Sequence, residues 1–492
     1  MSSAAQLRPE LLLGPNPFLE ALPPPITFSD LPKTLQRSAF SDLPVWDLLP
    51  AQREFLVETV DNQFVATSCV LEPASGVQIL LRRALTMRNP LMAEEQIRTN
   101  RIGLADSKKT IRSLAGMDGA GMLLSGMTGT GKSALLKRIL ALIAPEQVLD
   151  FGSSKACGWF RLKQCVYLYV DHPSNGTRGA LLKRILLQLD ASVGTDYFEQ
   201  HKRTTNLDAL LVVACKLLVL HRVAMLVIDE KQQRSFNDSP WALEFVLFYL
   251  TLMNLGVSVV LAGNPLAFDH LRLLSQVMRR FSTGGIHELS PATGSDRWWT
   301  RDFSINARKA NLVEHWEIDE IVRSELELRH SGGLPGLYMA LHKEVMRQAL
   351  RRGGNAATVS EKDFSAAIAS PRYVEAKRIA LSIAETQARN DMDYEDIPPL
   401  HKKGLVSEPK HEKPQVVSEV AMAYVTRLLT KYKAAQTRAL NRDLERLKLL
   451  NSLGPEDARM FGIGDELLAS MEKIKPPIEG LPGKRPSRKG KG

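Results

Sequence analysis

From about residue 120 to residue 290 the chain alternates short apolar runs with longer amphipathic ones. The alternation predicts strands at 122–126, 166–170, 223–228, 257–262 and 286–290. Helices are expected between them at 132–144, 178–190, 206–220, 240–254 and 267–281. Strands alternating with helices of this length argue for an α/β fold built on a parallel sheet. Ahead of it, 76–116 reads as mostly helical with a break at Asn89-Pro90. The first 75 residues are punctuated by proline and carry Phe-Ser-Asp-Leu-Pro twice, at 28–32 and 40–44. Extended or turn structure is expected there. The repeated pentapeptide is either local turn chemistry or a docking element. Residues 314–352 and 361–370 predict a smaller helical domain. Lysine, proline and glutamate then dominate 398–415, which reads as a linker before a helix at 416–450. The end, 484–492, holds five basic residues with no acidic or apolar side chain.

The first predicted strand runs into Gly126-Met127-Thr128-Gly129-Thr130-Gly131-Lys132-Ser133, and a helical run begins at Ala134. Strand, glycine loop and helix in that order give the setting of a phosphate-binding loop. Glycines let backbone N–H groups turn inward around a triphosphate. Lys132 is placed to reach the β and γ phosphates and Ser133 to hold a magnesium ion. The helix N-terminus adds partial positive charge.

A second signal is Leu226-Val227-Ile228-Asp229-Glu230, an apolar strand ending in two acids. Asp229 suits water-mediated magnesium binding and Glu230 suits activation of an attacking water. Asn264, in Ala262-Gly263-Asn264-Pro265, ends the next strand and is a candidate to hold that water or the γ-phosphate, against the plainer reading of an Asn-Pro turn. Arg279 and Arg280 close the helix before the last strand. Basic residues there complement the helix dipole, or one of the two serves a neighbouring subunit's site as an arginine finger.

Composition adds a partner class. The chain has 492 residues, 44% of them hydrophobic, and a formal net charge of +10. This charge favours an acidic partner, nucleic acid first. Ser174, Asn175, Thr177, Arg178 and Lys183, around a helix start, are the candidates for DNA phosphate contact. The plainer alternative for them is an N-capped surface helix. With no zinc finger or recognition-helix motif, binding is expected to be backbone-directed and largely independent of sequence. The four cysteines, Cys69, Cys157, Cys165 and Cys215, have no metal spacing and read as buried thiols of a reducing compartment. No secretion signal or membrane span is evident, so a cytoplasmic location is expected.

Taken together, the phosphate loop, the Ile-Asp-Glu strand, the Gly-Asn-Pro strand tip and the Arg-Arg pair resemble an AAA+ ATPase. Within that superfamily the chain resembles the TnsC/TniB family of transposition regulators. The narrower likeness rests on Met87-Arg88-Asn89-Pro90, on Tyr169-Val170-Asp171-His172-Pro173-Ser174-Asn175-Gly176, on Gly194-Thr195-Asp196-Tyr197 and on Tyr394-Glu395-Asp396-Ile397-Pro398-Pro399. It spans about 15–400. The resemblance implies an ATPase that uses Mg2+ and assembles head-to-tail as a ring or filament on duplex DNA. It implies partners too: transposase subunits, and a target-selection protein of the TnsD/TniQ type. Hydrolysis would then control disassembly. One feature departs from many AAA+ lids: Gly332-Gly333-Leu334-Pro335-Gly336-Leu337 lacks an arginine, so slow hydrolysis is expected.

The domains expected are a proline-rich N-terminal extension for partner interaction (1–75), an AAA+ core with its N-terminal linker helix (76–298), a helical lid (299–395) and a partner-binding linker, helix and basic tail (396–492). Two rival functions stand beside transposition: a signalling NTPase that switches protein partners without DNA, and a replication-initiator or clamp-loader-like ATPase.

Overall fold

Seven strands can be followed through the core of the computed structural model: β1 (Gly121–Gly126), β2 (Val148–Phe151), β3 (Leu162–Cys165), β4 (Tyr167–Asp171), β5 (Met225–Lys231), β6 (Ser258–Gly263) and β7 (Ile286–Leu289). Five of them form one parallel sheet in the order β4-β5-β6-β1-β7. The described residues are 9–40, 43–173, 177–231, 242–268 and 275–378. They fall in the first of the two units into which the chain divides, Met1–Leu400. The second, His401–Gly492, lies outside the described residues, as do the linker, helix and basic tail expected there.

The sheet is covered on both faces, because successive strand residues point to opposite sides. Leu123, Leu226, Ile228, Val259 and Leu261 are buried in one apolar cluster, and Met122, Leu124, Met225, Val227, Val260 and Ala262 in the other. The principal helices are α1 (Ser68–Met87), α2 (Lys132–Ile143), α3 (Arg178–Val193), α4 (Leu207–Leu220), α5 (Ala242–Asn254), α6 (Ser275–Phe281), α7 (Glu320–Ser331), α8 (Pro335–Gly353) and α9 (Glu361–Ala369). Helices α3, α4 and α5 fill the first cluster, and α1 and α2 the second. Each leucine, valine or isoleucine so buried contributes about 1.5–3 kcal/mol before chain entropy is set against it. β2 and β3 form an antiparallel hairpin that sequence periodicity does not reveal, since Val-Leu-Asp-Phe and Leu-Lys-Gln-Cys are too short to show a repeat.

The Met87-Arg88-Asn89-Pro90 motif has a structural use. Arg88 is fully buried at the end of α1, and its guanidinium donates to the main-chain oxygens of Val223 (2.6 Å) and Gly256 (3.4 Å). It thereby ties α1 to the segments that enter β5 and β6.

The proline-rich segment is not mainly extended. Short helices at Pro17–Glu20, Leu31–Leu35 and Pro50–Leu56 each begin with proline in the first two positions, where a missing N–H costs nothing. Phe18, Leu19, Leu31 and Leu35 are buried with α1 and α2, whereas Val45, Val57 and Val60 are buried in the lid cluster with Leu341, Val345 and Leu350. Between the two, Arg37 and Phe64 exchange main-chain hydrogen bonds of 3.0 Å. The segment is thus a strap across core and lid. In the repeated pentapeptide Leu31 is buried, while Phe28 and Leu43 are exposed.

Helices α7, α8 and α9 build the small helical domain. A break between α7 and α8 divides the helical stretch expected at 314–352. There Gly332 and Gly333 take left-handed φ values of +59° and +69°. A Cβ on Gly333 would lie 2.1 Å from the oxygen of Ala292, so only glycine fits.

Candidate functional site

The strand order puts the ends of β5, β6 and β1 side by side at the carboxyl edge of the sheet, where open α/β folds bind ligands. The loop Gly126–Ser133 leaves β1 there and enters α2. Gly129 and Gly131 hold φ at +88° and +94°. A Cβ at Gly126 would meet Thr130 Oγ1 at 2.7 Å and the Leu289 oxygen at 2.8 Å, so that glycine is required by close approach. Nothing lies within 4 Å of where a Cβ on Gly131 would be. Within the loop, Thr130 Oγ1 donates to the Met127 oxygen (2.8 Å), and Lys132 Nζ donates to the oxygens of Gly126 (2.7 Å) and Met127 (2.9 Å). Thr128 stands exposed at the tip. The ammonium therefore lies directly over the cradle that its charge would serve.

Ser133 and Asp229 approach the same point from different elements. Ser133 is in the first turn of α2, and Asp229 is buried near the end of β5. The phenol O–H of Tyr169 on β4 donates to Asp229 Oδ2. Burial first, and the Asp229 carboxylate next, push the Tyr169 pKa well above its ordinary value, so the phenol stays a proton donor. The β5–β6 register shifts between Ile228 and Lys231, so Asp229 and Glu230 occupy a bulge. Bulges of this kind re-aim side chains beside reactive sites. The main chain of Glu230 is part of β5, while its side chain lies outside the described set. Asn264 is buried just past the end of β6, on the strand between β5 and β1.

The described residues thus bring Gly126–Ser133, Asp229 and Asn264 to one edge. The donor set fits a magnesium nucleotide: an ammonium and an inward-facing loop for phosphate, a hydroxyl and a carboxylate for the ion.

Sequence reasoning did not find the cavity beside the loop. It is about 200 Å³ and is lined by Phe64, Val65 and Val70 of the strap and α1, by Thr130, Gly131 and Leu289 of the core, and by Trp298, Pro335 and Met339 toward the lid. These residues come from four separated stretches, so no local motif announces them.

The lid reaches the phosphate loop without an arginine. Gly336 N–H donates to the Gly129 oxygen at 2.8 Å, and fully buried Leu334 packs with Met127 and Leu337.

The two arginines of α6 differ. Arg280 donates to Asn254 Oδ1 at the end of α5, whereas Arg279 is exposed and its guanidinium has no side-chain partner among the described residues. The candidate DNA contacts differ in their settings. Ser174 and Asn175 lie outside the described residues. Arg178 is buried, with its guanidinium 3.8 Å from Asp208, and in this position offers no charge to a phosphate at the surface. Thr177 is the exposed N-cap of α3, accepting from Ala180 N–H, and Lys183 Nζ donates to the Lys202 oxygen.

With this geometry in place, the AAA domain family matches residues 117–271. This segment is an AAA-type P-loop domain. The match spans β1 to β6 and takes in the phosphate loop, Asp229 and Asn264. No curated protein matches the chain. Solved structures of similar fold include Cdc6p from Pyrobaculum aerophilum (16% identity, TM-score 0.34), covering 54% of this chain and 63% of that one. The Aeropyrum pernix ORC1 protein in complex with DNA is similar at 16% identity and TM-score 0.36, over 80% of this chain and 98% of that one. Drosophila ORC bound to DNA is similar at 15% and 0.32, over 80% and 86%. The fold is of the AAA+ type, a parallel five-stranded sheet between layers of helices.

Of the four thiols, Cys69 lines the cavity beside the loop. Cys157, Cys165 and Cys215 are buried and Cys69 is half-buried, all without disulfides; burial pushes Cys165 and Cys215 up to about 12. Among the described residues no group of three or more His, Cys, Asp or Glu forms a metal site, and no helix is long and apolar enough to cross a membrane.

Proposed function

We propose that the chain is a slow ATPase that works as a switch: it binds Mg2+–ATP, assembles on duplex DNA and regulates transposition. The observation that carries the nucleotide reading is the convergence of the Gly126–Ser133 loop, with Lys132 over it, and of Asp229, held by Tyr169, at one end of the sheet. Bound magnesium would supply charge neutralisation between the phosphates. Lys132 and the loop N–H groups bind the phosphates, Ser133 and Asp229 hold the ion's shell, and Asn264 and Glu230 position water. Glu230 takes the water's proton. The cavity between strap, core and lid takes the base, with Val65, Leu289 and Met339 offering apolar faces to a ring. Lys132→Ala should abolish nucleotide binding; unchanged affinity would move the site elsewhere.

The transposition reading is supported by the sequence resemblance, and the net charge of +10 is compatible with it. Thr177 and Lys183, at the surface of α3, remain the described candidates for phosphate contact. Arg279 serves a neighbouring subunit in a head-to-tail ring or filament. Residues 396–492 recruit transposase subunits, and a TnsD/TniQ-type selector is the target-choosing partner. Electron microscopy of the full chain with linear duplex and a nonhydrolysable ATP analogue tests this reading. ATP-dependent filaments or rings on DNA, with binding that weakens steeply in salt, are expected. Salt-insensitive behaviour with no assembly on DNA would favour a protein-partner switch instead.

A further inference from the structure

The phenol of Tyr169 has no place in the phosphate-loop chemistry described so far, yet it bonds Asp229, one of the residues assigned to the ion. Tyr169 lies at the centre of β4, paired in register with Val227 of β5. Its ring packs against the α1–α2 cluster, and Lys137 Nζ lies 5.6 Å from the ring centroid. The ring is thus fixed by packing from the strand below and the helix above. Its oxygen reaches Asp229 Oδ2.

The direction of the bond is set by the groups themselves: the phenol O–H donates and the Asp229 carboxyl oxygen accepts. A carboxyl group held in this way is oriented before an ion arrives, which is what an outer-shell partner does for a metal ligand.

We infer that Tyr169 is a positioning residue for the divalent cation: its phenol donates to Asp229 and presets that carboxylate to receive the ion and its bound water. The inference rests on the nucleotide-site reading above. Outer-shell partners of this kind alter metal affinity by about 10- to 100-fold when removed. Tyr169→Phe deletes one hydroxyl and keeps the ring, its packing and the Lys137 contact.

The test uses the full chain and a nonhydrolysable ATP analogue, with affinity measured by calorimetry in EDTA and across a Mg2+ titration. A thermal melt without nucleotide confirms that the variant is folded. In Y169F the Mg2+ concentration giving half of the magnesium-dependent gain in affinity should rise about 10-fold or more, and affinity in EDTA should stay within about twofold. A half-point unmoved from wild type, or a lower one, overturns the inference; a lower value would mean that the phenol competes with the ion. A drop in EDTA affinity equal to the drop in Mg2+ would assign Tyr169 to the phosphate cradle and also overturn it. If wild type binds nucleotide with no magnesium dependence, the underlying site reading fails instead.

Discussion

Leu334→Ala is the perturbation that most directly separates a nucleotide-sensing lid from a merely adjacent one. Leu334 is fully buried at the start of α8, among Met127 of the phosphate loop and Leu337 of its own helix. A Cβ added to Gly129 would lie 3.7 Å from Leu334 Cδ1, so the leucine covers the space beside that glycine. The only main-chain bond across the seam between described residues 126–133 and 334–337 is Gly336 N–H to Gly129 O, 2.8 Å. Truncating a fully buried leucine costs about 2–5 kcal/mol through lost transfer energy and the cavity left behind. Most of that loss falls on lid docking, because the two side chains packed with Leu334 belong to the loop and to the lid's first turn. Since about 1.4 kcal/mol is a factor of ten, ATP affinity should weaken roughly 10- to 100-fold. Calorimetric titration of ATP, with hydrogen exchange at residues 334–340 as a report on docking, measures both halves of the argument. Faster exchange there with affinity within twofold of wild type would refute the coupling: the lid would open without the nucleotide noticing.

Three further outcomes are expected. Glu230→Gln keeps the shape and removes the base, so ATP binding should persist while single-turnover hydrolysis falls by at least about 100-fold, within the general-base range; normal turnover would place the base elsewhere. Arg279→Ala should depress hydrolysis strongly and Arg280→Ala less, since Arg280 is tied to Asn254; mixing Arg279→Ala with Lys132→Ala protein should restore part of the rate, and no recovery in any mixture argues against sites shared between subunits. His342 is buried, its Nε2–H donating to the Ala310 oxygen, and burial lowers its pKa from 6.5 to about 4. The unfolded chain therefore takes up a proton near pH 6.5 that the folded lid refuses until about pH 4, so stability falls as pH drops through that window, by on the order of 3 kcal/mol in full. Denaturant melts at pH 7.5 and 5 should show this loss in wild type and less of it in His342→Asn; equal losses would exclude His342 as the cause.

The sequence made the sheet and the phosphate loop legible because both are written locally. Four of the five strands of the sheet are built on short apolar runs, β7 with His287 and Glu288 being the exception, and Gly126–Ser133 carries its chemistry in eight consecutive residues. The cavity beside the loop was invisible because Phe64, Leu289, Trp298 and Met339 meet only after folding. The choice between Arg279 and Arg280 was equally out of reach, since it turns on Asn254, some 26 positions away. Tyr169 was noticed as part of a motif but not for its chemistry, which depends on a neighbouring strand and a helix. Arg178 misled because a basic residue at a helix start looks the same in sequence whether it faces solvent or Asp208. The proline-rich segment misled for the opposite reason. Its apolar residues are sparse and aperiodic, yet they are split between two cores whose other members lie far away in the chain.

That split gives the strap a mechanical meaning. At one end Arg138, on the helix that the phosphate loop opens, donates to the main-chain oxygens of Thr34 (2.9 Å), Leu35 (2.9 Å) and Gln36 (3.2 Å). At the other, Lys343 pairs with Asp61 (2.6 Å) and Arg351 with Glu54 (2.6 Å), both on α8. Such exposed pairs are individually worth less than about 1 kcal/mol, so they guide the contact, and the buried Val57 and Val60 hold it. Helix α8 is therefore joined to α2 by two routes: directly, through Leu334 and Gly336 on the loop, and indirectly, through the strap. A lid that rotates off the loop must either break the valine contacts or carry the strap with it and pull on Arg138. In a chain whose lid turn lacks an arginine, this gives the lid a second hold on the helix that carries Lys132 and Ser133.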